Sequence, residues 1–580
     1  MHARTPPQRL LFLSLVAAAL GLIGGGAAYV LIKLIALLTN VALLHRVGWE
    51  LPSFRHFHPD WTLFPAALGG GLVVSLMAKW APVIRGHGIP EAMEAVLTKQ
   101  SRIQPRAAVA KPLSAAVAIG TGGPFGAEGP IIVTGGAVGS LLGQVLPVSP
   151  AERKILLASG AAAGMAATFG TPLAAVVLAI ELLLFEFSTR AFIPLVVASA
   201  LAGGVHSAIF GSGPLFAVPH HSYAGLDRLG LYAALGVIAG ILAVIIARGL
   251  FLFENGFRRL PVSEFWHPII GALGFAIVGI FVPRILGVGY DAISDVLLSK
   301  IAVGALLALA VAKLAAWWVA LASGTSGGTL APVLLISGSF GSLFGTLASR
   351  VFPSAHISPG AFALVAMAAT FGAATRATFA SIVFLFELTR DYDIILPLML
   401  ATVIADIVAG ALLRESLMTE KLARRGLRVA RDYQADILGT TLVREVMTTE
   451  VESLPVGSTV GDARRLLERG GHGAYPLVDE AGACRGMIAK GDLLADLTSD
   501  NQPVTEIASE DVVAVAPDDT VLTALQRILE EEVEHLPVLV RDRLVGICTR
   551  TDILRARRRQ FEHERAQKGW RPRFRSSATP

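Results

Sequence analysis

Gly126-Ala127-Glu128-Gly129-Pro130 and Gly328-Thr329-Leu330-Ala331-Pro332 are two glycine- and proline-framed stretches set in apolar sequence, and their spacing decides the fold. From Pro130 to Pro332 the offset is 202 residues, and Gly136/Gly338, Gly139/Gly341, Ser140/Ser342 and Gly143/Gly345 keep it. So does Met-Ala-Ala-Thr-Phe-Gly, at 165–170 and again at 367–372. One half of the chain therefore reads as a copy of the other. Duplicated hydrophobic halves that each break a helix with Gly and Pro mark membrane transport folds built from inverted repeats. The expected architecture is mainly α: a polytopic membrane protein with an inverted internal repeat and broken helices.

Composition agrees. Of 580 residues 53% are hydrophobic and 16% charged, against about 25% charged in ordinary soluble domains. Apolar runs recur from Leu10 to about Leu44, then at 64–81, 154–185, 191–210, 229–253, 267–282, 302–322, 361–388 and 394–413. Several reach the ~20 residues that span hydrocarbon. The first run follows Arg4 and Arg9 like a signal peptide, but it continues well past an apolar stretch of roughly 7–15 residues and reads as a first membrane helix. Net charge is +5, with basic residues at Lys421, Arg424, Arg425, Arg428 and Arg431 just after the last run, and again from Arg555 to Arg575. Positive flanks favour the cytoplasmic side of a cell (inner) membrane. No recognition motif accompanies them, which excludes a nucleic-acid partner from the reading. Both cysteines, Cys484 and Cys548, lie in the polar C-terminal third, where free thiols fit a reducing cytosol.

Beyond about residue 430 the pattern changes. A helix candidate at Thr459–Leu467 precedes strands at Ala474–Val478 and Gly486–Ala489, and Asp492 opens another helix. The pattern returns at Thr520–Leu525, His535–Val540, Gly546–Thr549 and Asp552–Leu554, with Pro476 matching Pro537 and Asp492 matching Asp552. This pair resembles a small α/β tandem of CBS domains. The domains are read as 1–430 for membrane transport, 440–500 and 501–558 for the two CBS copies, and 559–580 as a basic tail. In that family Thr and Asp of a Gly-x-x-Thr-x-x-Asp segment contact the ribose of an adenine nucleotide. The resemblance implies Thr549 and Asp552 for that role; in the first copy Asp492 is kept and Ala489 replaces the hydroxyl. Many such tandems are purely structural, and no cofactor is otherwise required.

A third segment shares the layout of the first two: Gly86-His87-Gly88-Ile89-Pro90, followed by helix-like Glu91–Val96. Pro suits the first turn of a helix. A helix start leaves N–H groups unpaired and carries partial positive charge. Three such starts converging would replace an anion's hydration shell without a full cation to trap it. A single Gly-Pro pair is ordinarily a kink; three near-matching segments are not.

In these motifs the chain resembles the CLC chloride channel and transporter family over roughly residues 10–425. Gly-His-Gly-Ile-Pro, Gly-Ala-Glu-Gly-Pro and Gly-Gly-Thr-Leu-Ala-Pro match its three selectivity segments in order. The resemblance implies a homodimer in the lipid bilayer with one path for a small anion in each subunit. It implies anion contacts from residues 86–90, 126, 127, 129, 130 and 328–332, and a gate at Glu128. A lone carboxylate in an apolar Gly/Pro setting is costly and usually functional. At a helix start it competes with an anion for the same N–H groups, although an N-capping carboxylate is the plainer alternative. Three departures from the family pattern stand out. His87 occupies the usual place of Ser, Leu330 that of Phe, and Met418 that of a chloride-binding Tyr, so both side-chain hydroxyls are missing and anion preference is open.

Proton-exchanging members often carry an inner glutamate directly after an Ile-Glu step. Here Ile180-Glu181 is followed by Leu182, which leans the reading towards a passive or weakly coupled chloride channel, with a proton-coupled antiporter as the alternative. Glu186, one helical turn beyond Leu182 if the helix continues, could supply a substitute proton path. Glu181 has a counterpart in Glu387, four residues off the repeat offset, which favours a structural role. A CBS-regulated cation transporter and a membrane-embedded enzyme using His87 and Glu128 fit less well. No metal set, nucleophile or phosphate loop accompanies the apolar part, and the chain reads as a transporter rather than an enzyme.

Overall fold

The computed structural model describes residues 7–219, 228–353, 357–427, 438, 441–470, 472–493, 499–509 and 511–556. Arg428, Arg431 and the 559–580 tail lie outside them. The chain divides into two compact units at residues 431/432.

In the first unit the repeat is written out helix by helix. The first half holds α1 (Pro7–Leu44), α2 (Leu63–Trp80), α3 (Ile89–Thr98), α4 (Pro105–Gly120), α5 (Glu128–Val145), α6 (Pro150–Phe169), α7 (Pro172–Ala179) and α8 (Thr189–Phe210). The second half holds α9 (Leu229–Arg258), α10 (His267–Phe281), α11 (Tyr290–Leu297), α12 (Val303–Ala322), α13 (Leu330–Val351), α14 (Pro359–Thr375), α15 (Thr378–Thr389) and α16 (Ile395–Leu412), followed by the short α17 (Glu420–Arg424). Seven of the described helices, α1, α2, α8, α9, α12, α13 and α16, are long and apolar enough to cross a membrane. The architecture is the inverted-repeat, broken-helix membrane fold.

Burial sorts the helices. α6 and α14 are enclosed along nearly their whole length, as expected for α14 and for α6 beyond its charged first turn, where the helix is apolar all round. α5 packs on α6 and α13 on α14. α1 instead turns Leu11, Leu15, Leu22 and Val30 outward, the face a bilayer would cover.

Two apolar runs are not single helices. The run 154–185 breaks where Gly170 adopts a left-handed conformation (φ 67°) and Pro172 opens α7. The run 361–388 breaks at Arg376 (φ 62°), after which α15 starts. A left-handed residue ends a helix, and the marks of these breaks, Gly170 with Pro172 and the charged Arg376, are single residues inside runs that stay apolar on average.

The second unit holds two small sheets. β1 (Leu454–Pro455) runs parallel to β2 (Ala474–Val478), which pairs antiparallel with β3 (Cys484–Ala489); β4 (His535–Val540) pairs antiparallel with β5 (Arg543–Thr549). α18 (Val460–Gly470) and α19 (Val521–Glu530) cover them. Tyr475, Leu477 and Ile488 centre one core, and Leu536, Val538 and Cys548 the other. The copies join through backbone bonds from Cys484 N–H to Asp542 O (2.9 Å) and Leu544 N–H to Gly482 O (3.1 Å). Both cysteines are free and buried.

Candidate functional site

α5 and α13 start back to back. Gly126 N–H donates to Gly328 O (3.3 Å) and Gly328 N–H to Gly126 O (2.8 Å). These residues are repeat images of each other, and images that bond reciprocally lie on the axis relating the halves. The axis therefore passes between the two helix starts.

Glu128, the first residue of α5, sits at this crossing and is 2% exposed. Its Oε2 is 2.5 Å from where a Cβ on Gly328 would stand, and a Cβ on Gly126 would overlap the carboxylate. The side chain fits because both positions are glycine. The carboxylate lies close to the backbone N–H of its own residue and of Ala331 without closing a hydrogen bond: neither oxygen has a partner. Negative charge next to unpaired N–H groups at two helix starts is the arrangement an anion would also take.

The third segment reaches the same place. Gly86 bridges to Ser326, just before the start of α13, and Gly129 lies so close to His87 that a Cβ on it would overlap the His87 carbonyl. Gly86 and Gly88 hold φ of +93° and +97°, which turns the chain into α3. Gly88 N–H donates to Glu91 Oε2 (2.8 Å), closing the helix start. Residues 86–90, 126–130 and 328–332 thus gather around one crossing. His87 is buried with Nδ1 unpartnered. Leu330 is buried as the first residue of α13. Met418 is fully buried ahead of α17, with its N–H on Ser416 Oγ (3.3 Å). α17 packs on α3 and brings Lys421 within 3.6 Å of Glu91.

A family model described as voltage gated chloride channel matches residues 69–410. The chain belongs to the CLC family. CBS domain models match 443–499 and 504–559. An H(+)/Cl(-) exchange transporter, ClcA, of Vibrio vulnificus is 30% identical over 449 residues, covering 73% of this chain and 93% of that protein. A protein of Ralstonia nicotianae named as a ClcB-like chloride channel is 29% identical over 374 residues, covering 63% of this chain and 86% of that one. Among solved structures, a slow cyanobacterial Cl-/H+ antiporter is 26% identical with a TM-score of 0.65, covering 73% of this chain and 98% of that one. This CLC chain is an anion transporter.

The two glutamates considered for protons stand elsewhere in this CLC fold. Glu181 caps α15: Phe379 N–H (3.3 Å) and Ala380 N–H (3.0 Å) donate to its carboxylate. Glu387 does the same for α7 through Leu173 (3.0 Å) and Ala174 (2.6 Å). The repeat-related helices thus cap each other's starts. Glu186 is not one turn beyond Leu182, as the sequence suggested. After α7 the chain makes a single π-turn, Ile180–Leu184, and stops at Phe185 (φ 55°). Glu186 falls past that stop, is largely exposed, and pairs with Lys154 (3.7 Å). Leu182 lines a small apolar cavity with Ile89, Ile132 and Met165.

Two residues that the sequence reading overlooked belong to the site. Lys111 and Lys313 are fully buried in apolar helices. Lys111 Nζ donates to Ile84 O (2.7 Å) and Gly86 O (2.6 Å), tying down the loop before α3. Their spacing is the repeat offset, so a charge repeated between the halves was the available signal.

In the CBS tandem Asp552 Oδ2 accepts from Thr549 N–H (3.0 Å) and Oγ1 (2.7 Å), and Asp492 Oδ2 from Ala489 N–H (2.7 Å). Both aspartates thus hold the turn after a strand. Thr549 and Asp552 line a cleft of about 400 Å³ together with Glu450, Glu452, His472 and His535. Among the described residues no group of three or more His, Cys, Asp or Glu is placed to hold a metal ion.

Proposed function

We propose that the chain is a proton-coupled anion exchanger working in a cell (inner) membrane as a homodimer, with chloride as the reference substrate. One observation carries the reading: the Glu128 carboxylate is buried at the crossing of three helix starts with neither oxygen hydrogen-bonded. An unpaired charge in such a place is costly. Taking up a proton relieves the cost, and so does ceding the N–H groups to an incoming anion. A single group that answers to both species links their movement, since the proton leaves or enters as the anion arrives. The relatives named as exchangers support coupling over the passive reading that Leu182 suggested from sequence. What favours the passive reading is the apolar lining around Leu182, where no carboxylate stands ready to pass protons to Glu128.

Flux in vesicles reconstituted with the full chain separates the two. An imposed chloride gradient is expected to drive protons against a pH gradient, and Glu128→Ala to abolish proton movement while chloride still flows. Chloride flux with no proton movement in the native chain would return the passive channel. Under the same reading the C-terminal unit is cytoplasmic, and its 400 Å³ cleft is the place for an adenine nucleotide, with Thr549 and Asp552 at the ribose. Calorimetric titration of the full chain with ATP and AMP tests that part: heat lost on Asp552→Ala supports it, and no heat with the native chain removes it.

A further inference from the structure

The loop leading into α11 is the repeat image of the loop leading into α3. Gly287-Val288-Gly289 follows Gly86-His87-Gly88 by 201 residues, and its glycines again hold positive φ, +61° and +82°. Lys313 Nζ donates to Ile285 O (2.7 Å) and Gly287 O (3.0 Å) as Lys111 does to its own loop. The images differ in what they present. α3 is pressed against α5 at Gly129, whereas α13 carries Ala331 at the matching place. A Cβ on Gly88 would meet its nearest neighbour at 2.7 Å, one on Gly289 only at 3.4 Å, so the second loop stands further off.

Tyr290 opens α11 where α3 has Ile89. Its ring meets Phe169 and Phe216 edge-on at centroid distances of 6.3 and 6.2 Å, and its buried hydroxyl has no hydrogen-bond partner. Lys313 is fully buried, with Nζ 3.6 Å from the Cβ position of Gly289. α11 packs on α13, and the Glu128 carboxylate lies beside Gly328 just ahead of α13. Asp291, next to Tyr290, is held by Ser53 Oγ (2.7 Å) and Phe54 N–H (2.9 Å). A buried hydroxyl at the start of α11 and a buried carboxylate at the start of α5 thus each lack a partner, and both helices pack on α13.

We propose that the Tyr290 hydroxyl, with the Lys313 ammonium behind it, receives the Glu128 carboxylate when that side chain leaves the anion path. The inference rests on Glu128 acting as a movable plug. One swing of the side chain satisfies both orphaned groups, the phenol donating to the carboxylate, and an anion can then take the vacated N–H groups. Tyr290 is thus a positioning residue for the plug and does not touch the transported ion.

Tyr290→Phe keeps the ring and its contacts with Phe169 and Phe216 and removes one hydroxyl. In vesicles holding the full chain, chloride turnover is expected to fall about ten-fold, the factor in occupancy of one hydrogen bond to a charged group. In a Glu128→Ala background the same change is expected to do nothing, because no carboxylate remains to be received. Native-background turnover within about two-fold of normal overturns the proposal. So does equal slowing in both backgrounds, which would mean a structural effect of the ring. Failure of the plug itself looks different: Glu128→Ala alone would then leave chloride flux and proton coupling unchanged.

Discussion

His87 shows how one residue separates this chain from its family's pattern. It occupies the usual place of a serine, and the structure buries it with Nδ1 unpartnered and its carbonyl against Gly129. The backbone at this position is fixed by its neighbours, so the side chain is free to vary without loss of the loop. A neutral imidazole offers one N–H, set on a larger and softer body than a hydroxyl. His87→Ser is therefore expected to fold normally and to raise the preference for chloride over nitrate several-fold, read from the ratio of initial fluxes in vesicles. An unchanged ratio would assign selectivity to the backbone donors alone. The sequence named His87, Glu128 and the glycines around them, because glycine next to proline inside an apolar run breaks a helix where a membrane span would otherwise continue it. It did not name Tyr290, whose hydroxyl acquires meaning only once the second loop is seen to approach α13 less tightly than the first approaches α5.

Among the elements, the clearest case is the exchange of caps between α7 and α15. Each helix start lacks a capping side chain of its own, and each receives a carboxylate from the end of the other's segment. Loss of a capping side chain costs about 0.5–2 kcal/mol. Glu181→Ala and Glu387→Ala are each expected to lower the thermal midpoint of the detergent-solubilised protein by a few degrees while leaving proton coupling intact; lost coupling in Glu181→Ala would restore it to the proton path. The sequence hinted at this pairing through the Ile-Glu and Phe-Glu steps, but the two differ from the repeat offset by four residues, and the π-turn after α7 has no compositional mark. In the C-terminal unit, burial on β4 pushes the His535 imidazole below its usual value, with His472 adding to the shift while Glu534 and Asp552 oppose it. The unfolded chain then binds a proton below about pH 6.5 that the folded unit refuses. The unit's stability is full above that pH and is lost as the pH falls through the folded value. Hydrogen-exchange protection factors in β4 and β5, corrected for the intrinsic rate at each pH, are expected to fall between pH 7 and 5, and His535→Gln to flatten the dependence.

Across the whole molecule the two halves share a scaffold but not a task. The 202-residue offset, readable from the Gly-Pro motifs alone, predicted the duplication and the converging helix starts, and the change of pattern near residue 430 predicted the appended tandem. The offset marks Lys111 and Lys313 as a repeated pair, but not that each is buried and anchors a loop, since a Lys in an apolar helix also reads as a residue snorkelling to the membrane surface. The buried positions have an electrostatic consequence. Lys111 ties down the loop that brings Gly86 and His87 to the crossing at Glu128, where the proposed anion path runs, while Lys313 ties down the loop bearing Tyr290. A unit charge ~8 Å from an anion at an effective dielectric of ~20 contributes about 2 kcal/mol. Lys111→Met removes that charge and also leaves the Ile84 and Gly86 carbonyls without their donor. Chloride binding to the solubilised protein, followed by calorimetry, is expected to weaken about 30-fold in Lys111→Met. Lys313→Met removes a cation that faces the same crossing from the other half, and is expected to weaken chloride binding by a similar factor. Unchanged affinity in Lys313→Met would mean that the first half alone sets the anion field, and that the α11 loop has no bearing on where the ion rests.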